Sequence, residues 1–192
     1  MKVLILFSGG LDSTILAHMA LKNGHDLWLM NVSYWHPARA REFRAIEQFR
    51  LKYFQEYFQA RDRYISIPIP LIGIGEQGPR ITPARNQVFL SLAINTAAAQ
   101  RIDEVWIGVN ESDNADYIDC RPAFIDTMDG LAQGWGVRLR APLLEMTKAQ
   151  ILDLAIELGV DLNVPWSCYE GGAAPCGTCN SCLQDPRLRA GD

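Results

Sequence analysis

The chain is poor in histidine, in excess charge of one sign and in long apolar runs, and each shortage removes a class of function. Only three histidines occur, His18, His25 and His36, and their spacing offers no shared metal site, so no role is assigned to them. No apolar stretch approaches the roughly 18 residues of a membrane span. The first apolar run, Val3-Leu4-Ile5-Leu6-Phe7, is too short for a secretory leader and passes into Ser8-Gly9-Gly10 without a cleavage site. Lys+Arg number 18 against 22 Asp+Glu, a formal charge of -4, which gives no general attraction to nucleic acid or to an anionic membrane. Internal repeats, long linkers and low-complexity tracts are also missing. With 192 residues, 48% of them hydrophobic and 21% charged, the expectation is one globular, soluble, cytoplasmic protein.

Cysteine is scarce through most of the chain and dense at its end. Cys120 stands alone, while Cys168, Cys176, Cys179 and Cys182 follow one another at short spacing. In a reducing compartment such a cluster points to metal rather than to a disulfide framework. Four thiolates are the number a closed tetrahedral zinc site needs, and the Pro- and Gly-rich spacers suit tight turns around an ion. An iron–sulfur cluster is the rival reading. Zinc is preferred, since no other redox motif accompanies the cysteines and a loop-rich tail gains folding energy from a structural metal. Cys120 has no neighbouring histidine in sequence, so an inert buried thiol is expected there.

Between the ends, β-type runs alternate with helix-type runs. Strands are expected over 3–7, 27–32, 64–69, 104–109 and 137–141. Helices are expected over 13–23 closed by Gly24, 39–59, 86–99, 122–133 closed by Gly134, and from the Thr147–Gln150 capping box onward. Five strands joined by helical crossovers imply an α/β fold, a five-stranded parallel sheet with helices on both faces. Residues 1–162 form this domain, and 163–192 are a four-cysteine, loop-rich zinc-binding tail packed on it. Ligands bind beyond the carboxyl ends of such strands.

Ser8-Gly9-Gly10-Leu11-Asp12-Ser13-Thr14 lies at such an end. Its glycines let the backbone close around an anion, and the helix start offers free N–H groups. A tight turn capped by Asp12 or Ser13 is the bland alternative. No G-x-x-x-x-G-K-[ST] sequence occurs, so this is not a Walker A loop. Gly73-Ile74-Gly75-Glu76-Gln77-Gly78 matches G-x-G-x-x-G, but Pro79 and Pro83 follow where a dinucleotide fingerprint requires a helix.

Ser-Gly-Gly-x-Asp-Ser resembles the signature of the PP-loop ATP pyrophosphatases, whose fold is adenine nucleotide alpha hydrolase-like. Three further stretches carry a narrower likeness: Pro83 to Leu90; Gly108-Val109-Asn110 through Asp113, Tyr117 and Asp119-Cys120-Arg121-Pro122; and Trp166-Ser167-Cys168-Tyr169 with the cysteine spacing. Together they resemble the 7-cyano-7-deazaguanine synthase family of queuosine-precursor biosynthesis. That likeness implies an ATP-dependent carbon–nitrogen ligase that converts 7-carboxy-7-deazaguanine and ammonia to the nitrile through an adenylated carboxylate and an amide, releasing AMP and pyrophosphate. It implies ATP with Mg2+ at Phe7, Ser8, Gly9, Gly10, Leu11, Asp12, Ser13 and Thr14, and catalytic roles for Asp12, Ser13 and Arg85. Substrate contacts fall on Arg85, Asn86, Asp113, Tyr117, Asp119 and Arg121, and a structural zinc on Cys168, Cys176, Cys179 and Cys182. The expected partners are small molecules and a second copy in a homodimer, with no membrane and no direct nucleic acid.

The residues alone also allow blander readings: Arg85 as a surface arginine, Asn86 as a helix cap, Asp113 to Arg121 as a polar turn, and Lys148 as either a phosphate ligand or a solvated side chain. From Ser33 to Arg39 the chain departs from the family's Phe-Asp-Tyr-Gly-Gln type segment. Two alternatives to nitrile synthesis therefore stand: a variant stopping at 7-amido-7-deazaguanine for DNA modification, and a noncatalytic nucleotide-binding module.

Overall fold

The computed structural model describes residues 1–54, 63–70, 82–185 and 187–188. Five strands, β1 (Lys2–Leu6), β2 (Asp26–Ser33), β3 (Tyr64–Pro68), β4 (Glu104–Trp106) and β5 (Arg138–Arg140), form one sheet in the order β3-β2-β1-β4-β5. All four pairings are parallel, as the expected crossovers require. Between them run α1 (Leu11–Lys22), α2 (Arg39–Phe49), α3 (Arg85–Gln100), α4 (Glu111–Asp116) and α5 (Pro122–Gln133), and after β5 come α6 (Lys148–Glu157) and α7 (Asn180–Gln184).

β1 sits at the centre, and its alternating side chains feed two cores. Val3 and Ile5 pack with Leu11, Ile15, Ile46, Ile151 and Ala155 of α1, α2 and α6. Leu4 points the other way, into Leu90, Ala93, Ile125 and Met128 of α3 and α5. A strand buried on both faces reads as a continuous apolar run, which is why Val3 to Phe7 shows no polar alternation. The chain winds outward from β1 through β2 to β3, then crosses back to β4. That reversal opens a crevice between β1 and β4 at their carboxyl ends, the place where open α/β sheets bind ligands.

Several boundaries move. α1 begins at Leu11 with Gly10 in the cap position and no side-chain cap, so neither Asp12 nor Ser13 caps it. α2 ends at Phe49 and continues as a π-helical turn, Arg50–Phe54; the remainder of the expected helix, 55–59, lies outside the described residues, as does the glycine pattern at 73–78. β4 and β5 are each three residues long. α5 is followed by Gly134 in right-handed conformation, and the left-handed glycine is Gly136, with φ 74. α6 starts at the Thr147–Gln150 capping box, with Gln150 N–H donating to Thr147 Oγ1 at 3.3 Å and Thr147 N–H to Gln150 Oε1 at 2.9 Å.

Candidate active site

The loop between β1 and α1 is drawn tight by glycine. Gly9 has φ 81, and a Cβ there would sit 2.7 Å from the Glu42 carbonyl oxygen of α2. Ser8, Gly10 and Ser13 are tied together: Gly10 N–H donates to Ser8 Oγ at 3.2 Å, and Ser13 Oγ donates to the Gly10 carbonyl at 3.1 Å. Gly108, just past β4, packs against the start of α1, where its own Cβ would lie 3.1 Å from that of Asp12. The helix start and the end of β4 are thereby held together at the crevice.

Asp12 is not a bare acid. Lys148 at the first turn of α6 places Nζ 2.9 and 3.0 Å from the two Asp12 oxygens, and Asn110 Nδ2 donates to the same carboxylate at 3.0 Å. Lys148 is therefore neither free in solvent nor pointing away; it pairs with the acid of the Ser8–Thr14 loop. Asn110 is 1% exposed and also starts α4: its Oδ1 accepts from Ser112 N–H at 3.0 Å, and its own N–H donates to Asp113 Oδ2 at 3.2 Å. Burial, and then the nearby Asp12 charge, push the Asp113 carboxyl up to about 6, with Lys148 opposing.

A second cluster stands on α3 and the 117–120 turn. Ala84, in left-handed conformation with φ 55, precedes the helix, so Asn86 is inside α3 and is not its cap. Asp119 does the capping work instead: its Oδ2 accepts from Asn86 N–H at 2.9 Å, while Asn86 Nδ2 donates to the Asp119 carbonyl at 3.0 Å and to Cys120 Sγ at 3.3 Å. One Asp119 oxygen is thus committed to the fold. Burial pushes the Cys120 thiol up to about 12, which makes it inert at neutral pH. Arg85 is half-buried rather than a surface side chain. Its Nη1 donates to Tyr34 Oη at 2.8 Å, and it makes no ion pair among the described residues. Burial, Tyr117 and Asp113 raise the Tyr169 phenol well above its ordinary range. Arg121 is exposed, with Nε donating to the Asn114 carbonyl at 3.3 Å; the turn keeps it in a backbone contact.

The loop after β2 supplies what sequence reasoning missed. Tyr34 and His36 stack at 4.6 Å, and His36 Nε2 lies 3.3 Å from Glu42 Oε2. With Trp35, Arg39 and Phe43, His36 lines a cavity of about 420 Å³ next to the phosphate loop. The signal was available only as a pair of aromatic residues at the carboxyl end of a strand.

The four cysteine sulfurs all lie within 4.8 Å of one another, and Cys176 and Cys182 are 3.9 Å apart. Zn–S bonds of about 2.3 Å place tetrahedral sulfurs about 3.8 Å from each other, so the donor set fits one tetrahedral ion. A cube of four irons would hold its thiolates further apart. Backbone N–H groups turn onto the sulfurs, Cys176 onto Cys168 at 3.3 Å and Cys179 onto Cys176 at 3.3 Å, as thiolate ligands require. The tail meets the phosphate loop directly, through Trp166 N–H donating to the Gly9 carbonyl at 2.9 Å.

The sheet, its phosphate-loop position and the four-cysteine tail define a PP-loop type α/β protein. The U34-tRNA thiolase NcsA from Methanococcus maripaludis, solved with its 4Fe-4S cluster, shares the fold with a TM-score of 0.53 at 18% identity, over 84% of this chain and 58% of that one. More narrowly, the chain belongs to the QueC family, described as queuosine biosynthesis protein QueC, whose sequence model matches residues 2–190. The 7-cyano-7-deazaguanine synthase of a Nitratiruptor species is 35% identical over 95% of this chain and 90% of its own. That of a Geobacter species is 37% identical over 94% and 89%.

Proposed function

We propose that the protein is an ATP-dependent ligase that converts 7-carboxy-7-deazaguanine and ammonia to 7-cyano-7-deazaguanine. The observation that carries this reading, in a chain of the QueC family, is Asn110: its Nδ2 donates to Asp12 at 3.0 Å while its N–H donates to Asp113 at 3.2 Å, and Asp113 in turn feels the charge of Arg85. This contact supports reading the Ser8–Thr14 loop and the second cluster as parts of one site. A module that only senses nucleotide has no use for the second half.

The chemistry needs no protein nucleophile. A carboxylate oxygen attacks the α phosphate of ATP and pyrophosphate leaves; ammonia then displaces AMP to give the amide. Adenylation of the amide oxygen lets AMP depart with that oxygen, leaving the nitrile. Binding and charge stabilisation must supply the rate. Phe7 to Thr14 hold the triphosphate with its Mg2+, and Lys148 and the free N–H groups of α1 face the charge that develops on pyrophosphate. Asp12 and Ser13 orient the phosphates. Arg85 offers a forked donor to the substrate carboxylate, and Asn86, Asp113, Tyr117, the remaining Asp119 oxygen and Arg121 contact the deazaguanine. Zinc on the four cysteines is closed to substrate and braces residues 163–192 against the domain of residues 1–162. The protein works in the cytoplasm as a homodimer.

The test is incubation with ATP, Mg2+, ammonium and 7-carboxy-7-deazaguanine, with products followed by mass spectrometry. Nitrile with two AMP per turnover is expected, and Asp12→Asn should cut AMP release sharply without unfolding the chain. Amide with one AMP would assign the amide-forming variant instead. No AMP from 7-carboxy-7-deazaguanine would overturn the ligase reading.

A further inference from the structure

We infer that Tyr34 is the positioning residue for Arg85, holding its guanidinium ready for the acid group of the substrate; this rests on the reading of Arg85 as the anchor of that group. Arg85 is a half-buried cation with no carboxylate at ion-pair distance among the described residues; Asp113 and Asp119 act on it only through space, whereas desolvation of a charge is ordinarily offset by an opposite one in contact. The groups in direct contact with it are aromatic and polar. Tyr34 Oη accepts from Arg85 Nη1 at 2.8 Å, and the guanidinium carbon lies 5.9 Å from the ring centres of both Tyr34 and Phe89. These contacts stabilise the charge without cancelling it. Of the five N–H donors on Arg85, one is committed to the phenol, and the others have no hydrogen-bond partner among the described residues and suit an incoming anion.

Tyr34 is itself fixed from behind. Its ring meets Phe89 at 5.6 Å and stacks on His36 at 4.6 Å, and His36 is paired with Glu42 of α2. A chain of contacts thus runs from the helix that touches Gly9, through His36 and Tyr34, to Arg85. An arginine held this way loses little side-chain freedom when the anion arrives, which is the benefit of preorganisation. The segment from Ser33 to Arg39, after β2, is the wall that provides it.

The consequence is selectivity for charge. The acid and the amide of 7-deazaguanine have nearly the same shape and differ at the group that meets Arg85. Calorimetric titration of the metal-loaded full-length protein with each compound, for the wild type and for Tyr34→Phe, separates positioning from general packing. The variant keeps the ring and its stacking and loses only the acceptor. Acid affinity is expected to fall about tenfold, the scale of a hydrogen bond to a charged group, with amide and ATP-analogue affinities within about twofold of wild type. Arg85→Lys, which keeps the charge and loses the fork, should show the same selective loss. Equal weakening of acid and amide, or no change in either, overturns the role of Tyr34 while leaving the ligase reading in place. A wild-type protein that binds neither compound overturns both.

Discussion

His18 shows how a buried side chain behind the Ser8–Thr14 loop constrains the molecule. It is 8% exposed, its Nδ1 is 2.9 Å from the Thr14 carbonyl, and its ring stands edge-on to Phe49 and Tyr53. Nε2 has no hydrogen-bond partner among the described residues, so a second proton would create a buried, unpaired charge. Burial accordingly lowers its pKa below 6.5. The unfolded chain takes up this proton as the pH falls through about 6.5, whereas the native protein resists until lower pH, so the contribution to stability is complete above about 6.5 and is lost below it. Urea unfolding between pH 7 and 5 should show His18→Phe losing less stability than wild type, by up to about 1.4 kcal/mol per pH unit; parallel profiles would exclude the effect. What was legible at this scale was whatever lies close along the chain. Ser8 to Thr14 form a local motif, and its place after β1 could be read directly. The partners of Asp12 could not, because Lys148 is 136 positions away and Asn110 98. Tyr34 and Arg85 are separated by 51, and nothing in either residue's neighbourhood announces the pair.

At the scale of elements, legibility followed the strength of the local signal. The Thr147–Gln150 box carries both of its reciprocal hydrogen bonds and was readable as a start signal. The equivalent box at Asn110–Asp113 opens a helix of only six residues, too short for an apolar period to reveal. Gly134 and Gly136 are equally good stop signals in sequence, and only the return path to β5 decides which adopts positive φ. A glycine of another kind joins two elements: Gly171, with φ +63, brings the tail against the loop before α2, where an added Cβ would collide with the Pro37 backbone. Gly24 has nearly the same conformation, φ +68, and open space around it. The two sites separate conformational strain from contact. Gly24→Ala should cost about 1–2 kcal/mol, and Gly171→Ala should exceed it by a further 1–3 kcal/mol, roughly the cost of a strained or overpacked position. Equal losses in urea unfolding would mean that the tail yields freely and that its seat beside Tyr34 and His36 is loose.

For the whole molecule, the sheet order brings one edge together and the tail closes over it. Trp166 N–H binds the Gly9 carbonyl, Arg41 lies 4.9 Å above the Trp166 ring, and Arg187 Nη1 donates to the Leu162 carbonyl at 2.9 Å. The four-cysteine cluster is therefore linked mechanically to the Ser8–Thr14 loop, although no cysteine approaches that loop in sequence. A structural ion contributes folding free energy to the segment it ties, and here that segment supplies one of the hydrogen bonds that shape the proposed nucleotide site. Metal analysis should find about one zinc per chain; iron with sulfide would refute the assignment. Chelation should unfold the tail and leave the parallel sheet intact, since both cores are built from β1 to α6. With the Trp166 contact gone, nucleotide affinity should fall about fivefold, the value of one net hydrogen bond of about 1 kcal/mol. Hydrogen exchange at Ser8 to Thr14 should quicken in parallel, and added zinc should restore both. Unchanged nucleotide affinity in a protein whose tail has demonstrably unfolded would show that the phosphate loop holds its shape without help from the metal.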